Sequence, residues 1–151
     1  MTARLWLDDL VVGTTYRTDT QEMTAADIIA FARQFDPQPF HLGEETAAST
    51  FFGALAASGW HTAAVTMRLL VTSGLPFANG IIGAGVDLTW PSPTRPGDLL
   101  HVVVTITDIK VSGRDPNRGI VTAEQDTINQ FGDVRQHATS KLLVFRKAVG
   151  Q

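Results

Sequence analysis

The chain has 151 residues, a formal net charge of −3 and no cysteine. Cysteine chemistry of every kind is therefore excluded: disulfides, thiolate metal sites and a thiol nucleophile. Apolar residues make up 44% and charged residues 18%, a folding composition whose length reads as one domain over residues 1–151, and whose acidic balance without a basic tract argues against nucleic acid and anionic membranes.

Met1–Val12 carries Arg4, Asp8 and Asp9 among its apolar residues and lacks the long apolar core of a secretory signal. Tyr16–Gln21 has the makings of a short strand. Thr24-Ala25-Ala26-Asp27 is a helix start, and Ile28, Phe31, Ala32 and Phe35 then recur on one helical face. Pro37 disfavours helical geometry at Asp36, so the helix is expected to stop there. A short helix near Gly43 would welcome Glu44 and Glu45 in its first turn.

A second long helix is expected from Ser58-Gly59, with a stripe of Trp60, Ala63, Ala64, Met67, Leu70 and Val71. Val65 and Leu69 widen the stripe, so this helix should be wrapped by other structure. Ser73-Gly74 and Pro76 end it. Ser49–Val71 is interrupted by Ser58, Gly59, His61 and Arg68 and does not read as a membrane span. A soluble, cytoplasmic protein is the expectation.

The second half changes period. Leu100, Val102, Val104 and Ile106 alternate with His101, Val103, Thr105 and Thr107, which is strand spacing. Ile81–Trp90, Gly119–Asn129 and Val134–Arg146 are strand-like as well, separated by proline- and glycine-rich turns. Gly80, Gly83 and Gly85 open a strand rather than a helix, so they predict a bulge or close packing and not a phosphate loop. Strands segregated from helices give an α+β fold, an antiparallel sheet curled around one buried helix.

Chemistry concentrates in Phe35-Asp36-Pro37-Gln38-Pro39-Phe40-His41. Two prolines stiffen the segment. An acid at one end and an imidazole at the other suit proton transfer through one shared water. The alternative is a capping Asp36 and a partly exposed loop His41. At Ser58-Gly59, backbone N–H groups of the helix start lack intrahelical partners and face the positive end of the dipole. A glycine there lets a ligand oxygen approach; the alternative is relief of crowding between helix and sheet.

These segments, together with Ser49, Phe52-Gly53, and Gly85 through Trp90-Pro91 to Arg95-Pro96-Gly97-Asp98, resemble the MaoC-like dehydratases, or (R)-specific enoyl-CoA hydratases. The resemblance covers roughly Met23 to Val111. It implies a hotdog fold, usually dimerised, and reversible hydration of trans-2-enoyl thioesters to (3R)-hydroxyacyl thioesters. Asp36 and His41 carry over as the pair that activates water, and the Gly59 N–H as the oxyanion donor. The flanking Gln38, Phe40, Ser58 and Trp60 are the expected substrate contacts. No metal or redox cofactor is implied, because the thioester is itself the electron sink. The chain departs from the family pattern at Gln38 (usually Asn), Gly43 (often an acid) and Ser58 (often His), which leaves the substrate open.

Other readings compete. The hotdog fold also hosts thioesterases, and a non-catalytic acyl-thioester-binding subunit is a third possibility. His41, His61, His101 and His137 show no metal-ligand spacing. His61 fits a helix-surface or core role, and His101 and His137 should face solvent or a subunit contact. Arg95, Arg114, Arg118 and Lys141 are candidate contacts for coenzyme A phosphates. Trp60, Met67 and Phe77 are expected to set pocket depth.

Overall fold

The alternation along Leu99–Val111 does what its period dictates. Leu100, Val102, Val104 and Ile106 are fully buried on one face of the strand. That strand organises the molecule. The computed structural model describes residues 3–148; Met1–Thr2, and the last three residues of the expected 1–151 domain, lie outside the described residues.

In chain order, a 3-10 turn at Leu7–Asp9 precedes β1 (Thr15–Arg17) and β2 (Gln21–Glu22). The helices α1 (Ala25–Phe35), α2 (Pro39–Leu42), α3 (Glu44–Ala47) and α4 (Gly59–Leu69) follow, α4 running into a π turn at Leu70–Gly74. The strands β3 (Ile82–Thr89), β4 (Leu99–Val111), β5 (Arg118–Ile128) and β6 (Val134–Phe145) complete the chain. They form an antiparallel sheet of order β1-β4-β5-β6-β3, with β2 also on β4. The expected strand at Tyr16–Gln21 is thus two short strands, both on β4. The glycines of β3 carry a bulge between Gly83 and Gly85, as expected.

Helix α4 lies on the inner face of this sheet, packed against β4 and β6. This is the hotdog arrangement. The core joins Val65, Leu69 and Leu70 to Leu100, Val102, Val104, Ile106, Val121 and Leu142. Among the described residues no helix is long and apolar enough to cross a membrane.

Two expectations about faces need correction. In α1, Ile28 and Ala32 are buried, but Phe35 is 64% exposed. It sits in the last turn, where the chain leaves the core, and rests on Phe31 with ring centroids 5.1 Å apart. In α4 the buried side is His61, Thr62, Val65, Thr66 and Leu69, whereas Trp60 and Met67, and Val71 in the following turn, are exposed. The threonines can turn inward because their hydroxyls find partners: Thr62 meets Thr94 at 2.8 Å and Thr66 meets Thr127 at 2.6 Å. Of the apolar row read from the sequence, Leu70 is buried in the core as expected, and Trp60, Ala63, Met67 and Leu70 border a groove facing β3.

Candidate active site

Pro37 stops α1, and Asp36 becomes its C-cap, its N–H on the Ala32 carbonyl. Pro39 then starts α2 at its first turn, with Gln38 as N-cap. His41 therefore sits on a short helix rather than in a loop, and it is 5% exposed. The partly exposed loop histidine of the alternative reading does not occur.

The imidazole is held at both nitrogens. Nδ1 lies 2.6 Å from the Ala56 carbonyl oxygen. A carbonyl only accepts, so Nδ1 carries the proton and donates it. Nε2 lies 3.3 Å from Oδ2 of Asp36. In the neutral ring that nitrogen is an acceptor. Phe40 packs edge-on against the imidazole, centroids 4.6 Å apart, and also touches Phe52.

Burial alone pushes the Asp36 carboxyl up. The Gln38 amide, the Ser58 hydroxyl and the His41 ring together outweigh it and hold the group below its ordinary range. The Gln38 contact is explicit: Nε2 donates to Oδ1 at 2.6 Å. Near neutral pH the site thus offers a carboxylate beside an imidazole nitrogen.

Ser58 is fully buried and caps α4, its Oγ accepting from the Trp60 N–H at 3.3 Å. Gly59 opens the helix, so its N–H has no intrahelical acceptor. Its Cα faces the Trp90 indole: an added Cβ would fall 2.5 Å from a ring carbon. The glycine is thus required by crowding, whatever its N–H does. Trp60 is 62% exposed and meets Trp90 edge-on at 5.4 Å. His41, Phe52, Gly59, Trp90, Thr94 and Arg135 line a cavity of about 530 Å3. Of the expected residues, Asp36, Gln38, Phe40, His41 and Ser58 are linked by these contacts, and His41 and Gly59 line the cavity. Trp60 lines the neighbouring groove instead.

Arg95 is not a free surface cation. Its guanidinium donates to the carbonyls of Phe52 at 2.7 Å, Ala54 at 2.8 Å and Leu55 at 3.2 Å. Those carbonyls immediately precede Ala56, which is further fixed by its N–H on the Phe40 carbonyl at 3.0 Å. Asp98 accepts from the Arg95 N–H and pairs with Arg135 at 2.9 Å. Asn129 also donates to Asp98. This brace was missed as a site element, although Arg95-Pro96-Gly97-Asp98 stood out as a motif. Phe77 is 2% exposed and belongs to the core, not to a pocket wall. His61 is a core residue stacked on Phe31 at 4.7 Å. His137 pairs with Asp126 at 2.7 Å on the sheet surface.

A family model described as MaoC like domain matches residues 9–129. A MaoC-like dehydratase from Rhodospirillum rubrum has a crystal structure that is 59% identical, with a TM-score of 0.95 over 96% of this chain and 99% of that one. The (R)-hydratase PhaJ1 from Pseudomonas aeruginosa is 25% identical, with a TM-score of 0.75 over 95% of this chain and 88% of that one. A 3-hydroxybutyryl-CoA dehydratase of Methylorubrum extorquens is 34% identical over 106 residues, 70% of this chain and 66% of that protein.

Proposed function

Because the chain belongs to the MaoC-like domain family, we propose that it is a hydro-lyase. It adds water across the double bond of trans-2-enoyl-CoA to give (3R)-hydroxyacyl-CoA, and reverses that reaction. One observation carries the reading: His41 Nε2 and Asp36 Oδ2 stand 3.3 Å apart while Nδ1 is tied to Ala56.

Both facing atoms are acceptors when Asp36 is ionised and His41 neutral. A water beside the pair, within reach of both atoms, donates one proton to each and turns its lone pairs outward. As its oxygen bonds to C3 of the enoyl thioester, Nε2 takes one proton. The imidazolium so formed is stabilised by the Asp36 carboxylate. Electrons of the double bond shift to the thioester oxygen, which accepts from the Gly59 N–H at the positive end of α4. The enolate collapses, C2 takes the proton from Nε2, and His41 is neutral again. Water is added in full and on one face, because one nitrogen both takes and returns the proton. Gln38 and Ser58 keep Asp36 charged throughout; Phe40 holds the ring plane.

The sheet supports a homodimer. β3 is an edge strand whose residues are exposed along nearly all its length, so a second copy would extend the sheet there.

The test is a panel of trans-2-enoyl-CoA substrates, followed by loss of conjugation, with product stereochemistry assigned. Wild-type protein should give the (3R) product, and Asp36→Asn and His41→Ala should each lose at least about 100-fold in kcat. Wild-type turnover by both variants would remove the pair from the mechanism. Thiol release from saturated acyl-CoA, with the enoyl double bond untouched, would make the protein a thioesterase.

A further inference from the structure

Two cavities flank α4, and they share no lining residue. One is the pocket at His41 and Gly59. The other, about 460 Å3, runs between α4 and β3, bordered by Ala63, Met67, Leu70, Val86 and Leu142. Trp90 stands between them. Its indole lines the first cavity and covers the Cα of Gly59, where a Cβ would fall 2.5 Å from Cε2. Trp60 lines the second cavity and seals the indole edge-on.

The indole is tethered. Its Nε1 donates to Oε1 of Gln136 at 3.0 Å. Gln136 donates in turn to the Thr66 hydroxyl at 3.3 Å, and Thr66 is bonded to Thr127 at 2.6 Å and donates to the Thr62 carbonyl at 2.9 Å. Gln136, Thr66 and Thr127 are all buried. Swinging Trp90 aside breaks a hydrogen bond whose acceptor has no ready access to water.

Resting on the hydratase reading, we propose that Trp90 is a specificity-determining residue that confines the enzyme to short-chain enoyl thioesters. With the thioester oxygen at the Gly59 N–H and C3 at the Asp36–His41 water, a longer chain must pass the Cα face of Gly59 to run along α4. The indole occupies that face. The groove beyond it, about 460 Å3, shares no lining residue with the site cavity.

The experiment compares crotonyl-, hexenoyl- and octenoyl-CoA as substrates for wild type, Trp90→Ala, Trp90→Phe and Gln136→Leu. In parallel, calorimetry measures binding of butyryl- and octanoyl-CoA, which cannot react. Wild-type kcat/KM should fall at least about tenfold from the four-carbon to the eight-carbon substrate, the scale on which a tight wall rejects added methylenes. Trp90→Ala should raise the eight-to-four ratio at least about tenfold in both turnover and binding. Gln136→Leu, which frees the indole, and Trp90→Phe, which replaces it with a smaller ring, should shift the ratio the same way by less and carry the test if Trp90→Ala does not fold. Equal wild-type efficiency on both lengths overturns the proposal, as does a ratio unchanged in every folded variant. A length break in binding that Trp90→Ala relieves, with no turnover of any enoyl-CoA, leaves the wall standing and removes the hydratase reading.

Discussion

Ala56 decides which nitrogen of His41 can act as a base. Its carbonyl, 2.6 Å from Nδ1, fixes the proton on that atom and leaves Nε2 free to accept. The bond spans two segments fifteen residues apart, and both ends are pinned: His41 by α2, Ala56 by its N–H on Phe40.

His41→Asn separates the two roles of the ring. The shorter amide keeps a donor near the Nδ1 position but offers nothing at Nε2. Its kcat should fall at least about 100-fold, while its urea midpoint stays near that of wild type. Retained hydration in this variant would mean that Nε2 takes no proton.

Arg95 should act on turnover without touching substrate. Removing it leaves the half-buried carbonyls of Phe52, Ala54 and Leu55 unpartnered. Arg95→Ala should therefore lose about 1–3 kcal/mol of stability, read from urea unfolding. It should also lower kcat more than it raises KM, because the Ala56 carbonyl is loosened. Arg95→Lys, with a point charge in place of the fork, should recover stability better than kcat. A KM-only effect would put Arg95 on the coenzyme A instead.

What was legible in the sequence was local. Asp36, Pro37, Pro39 and His41 lie within one turn-forming segment, so their convergence followed from proline geometry. Alternation from Leu100 to Ile106 fixed that strand's buried face. The rest depends on partners far along the chain. Arg95 reaches back more than forty residues to Phe52, and Trp90 reaches forward to Gln136. The face of α4 was misread for the same reason: periodicity ranks Trp60 and Met67 above Thr62 and Thr66, and only the distant hydroxyls of Thr94 and Thr127 reverse that order.

Acid should weaken the fold through Asp98. Burial raises its pKa, but the Arg135 guanidinium, the Arg95 N–H and the Asn129 amide bring it below the ordinary carboxylate range. The folded chain thus binds this proton more weakly than the unfolded chain does. The stabilisation is complete above the unfolded value, about 3.9, and is lost as pH falls through the lower folded value. Asp98→Asn leaves the Arg135 charge, with its side chain only 12% exposed, without a counter-ion. A loss of about 3–5 kcal/mol is expected at neutral pH, shrinking below about pH 4 as the wild-type carboxyl protonates. A deficit that does not change with pH would mean that the charge of Asp98 contributes nothing.

His61 is a histidine the fold would do better without. It stacks on Phe31 with ring planes 6° apart, and its buried Nδ1 has no partner among the described residues. Burial lowers its pKa from 6.5, with Asp27 pulling partly the other way. The folded state therefore resists protonation that the unfolded chain accepts. Stability is whole above 6.5 and declines as pH falls from there through the depressed folded value. His61→Phe keeps the stack and removes both the unpartnered nitrogen and the titration. It should gain about 1 kcal/mol at neutral pH, and its advantage should widen between pH 6.5 and 5 in urea titrations. An advantage that stays constant across that interval would show that His61 does not titrate with folding.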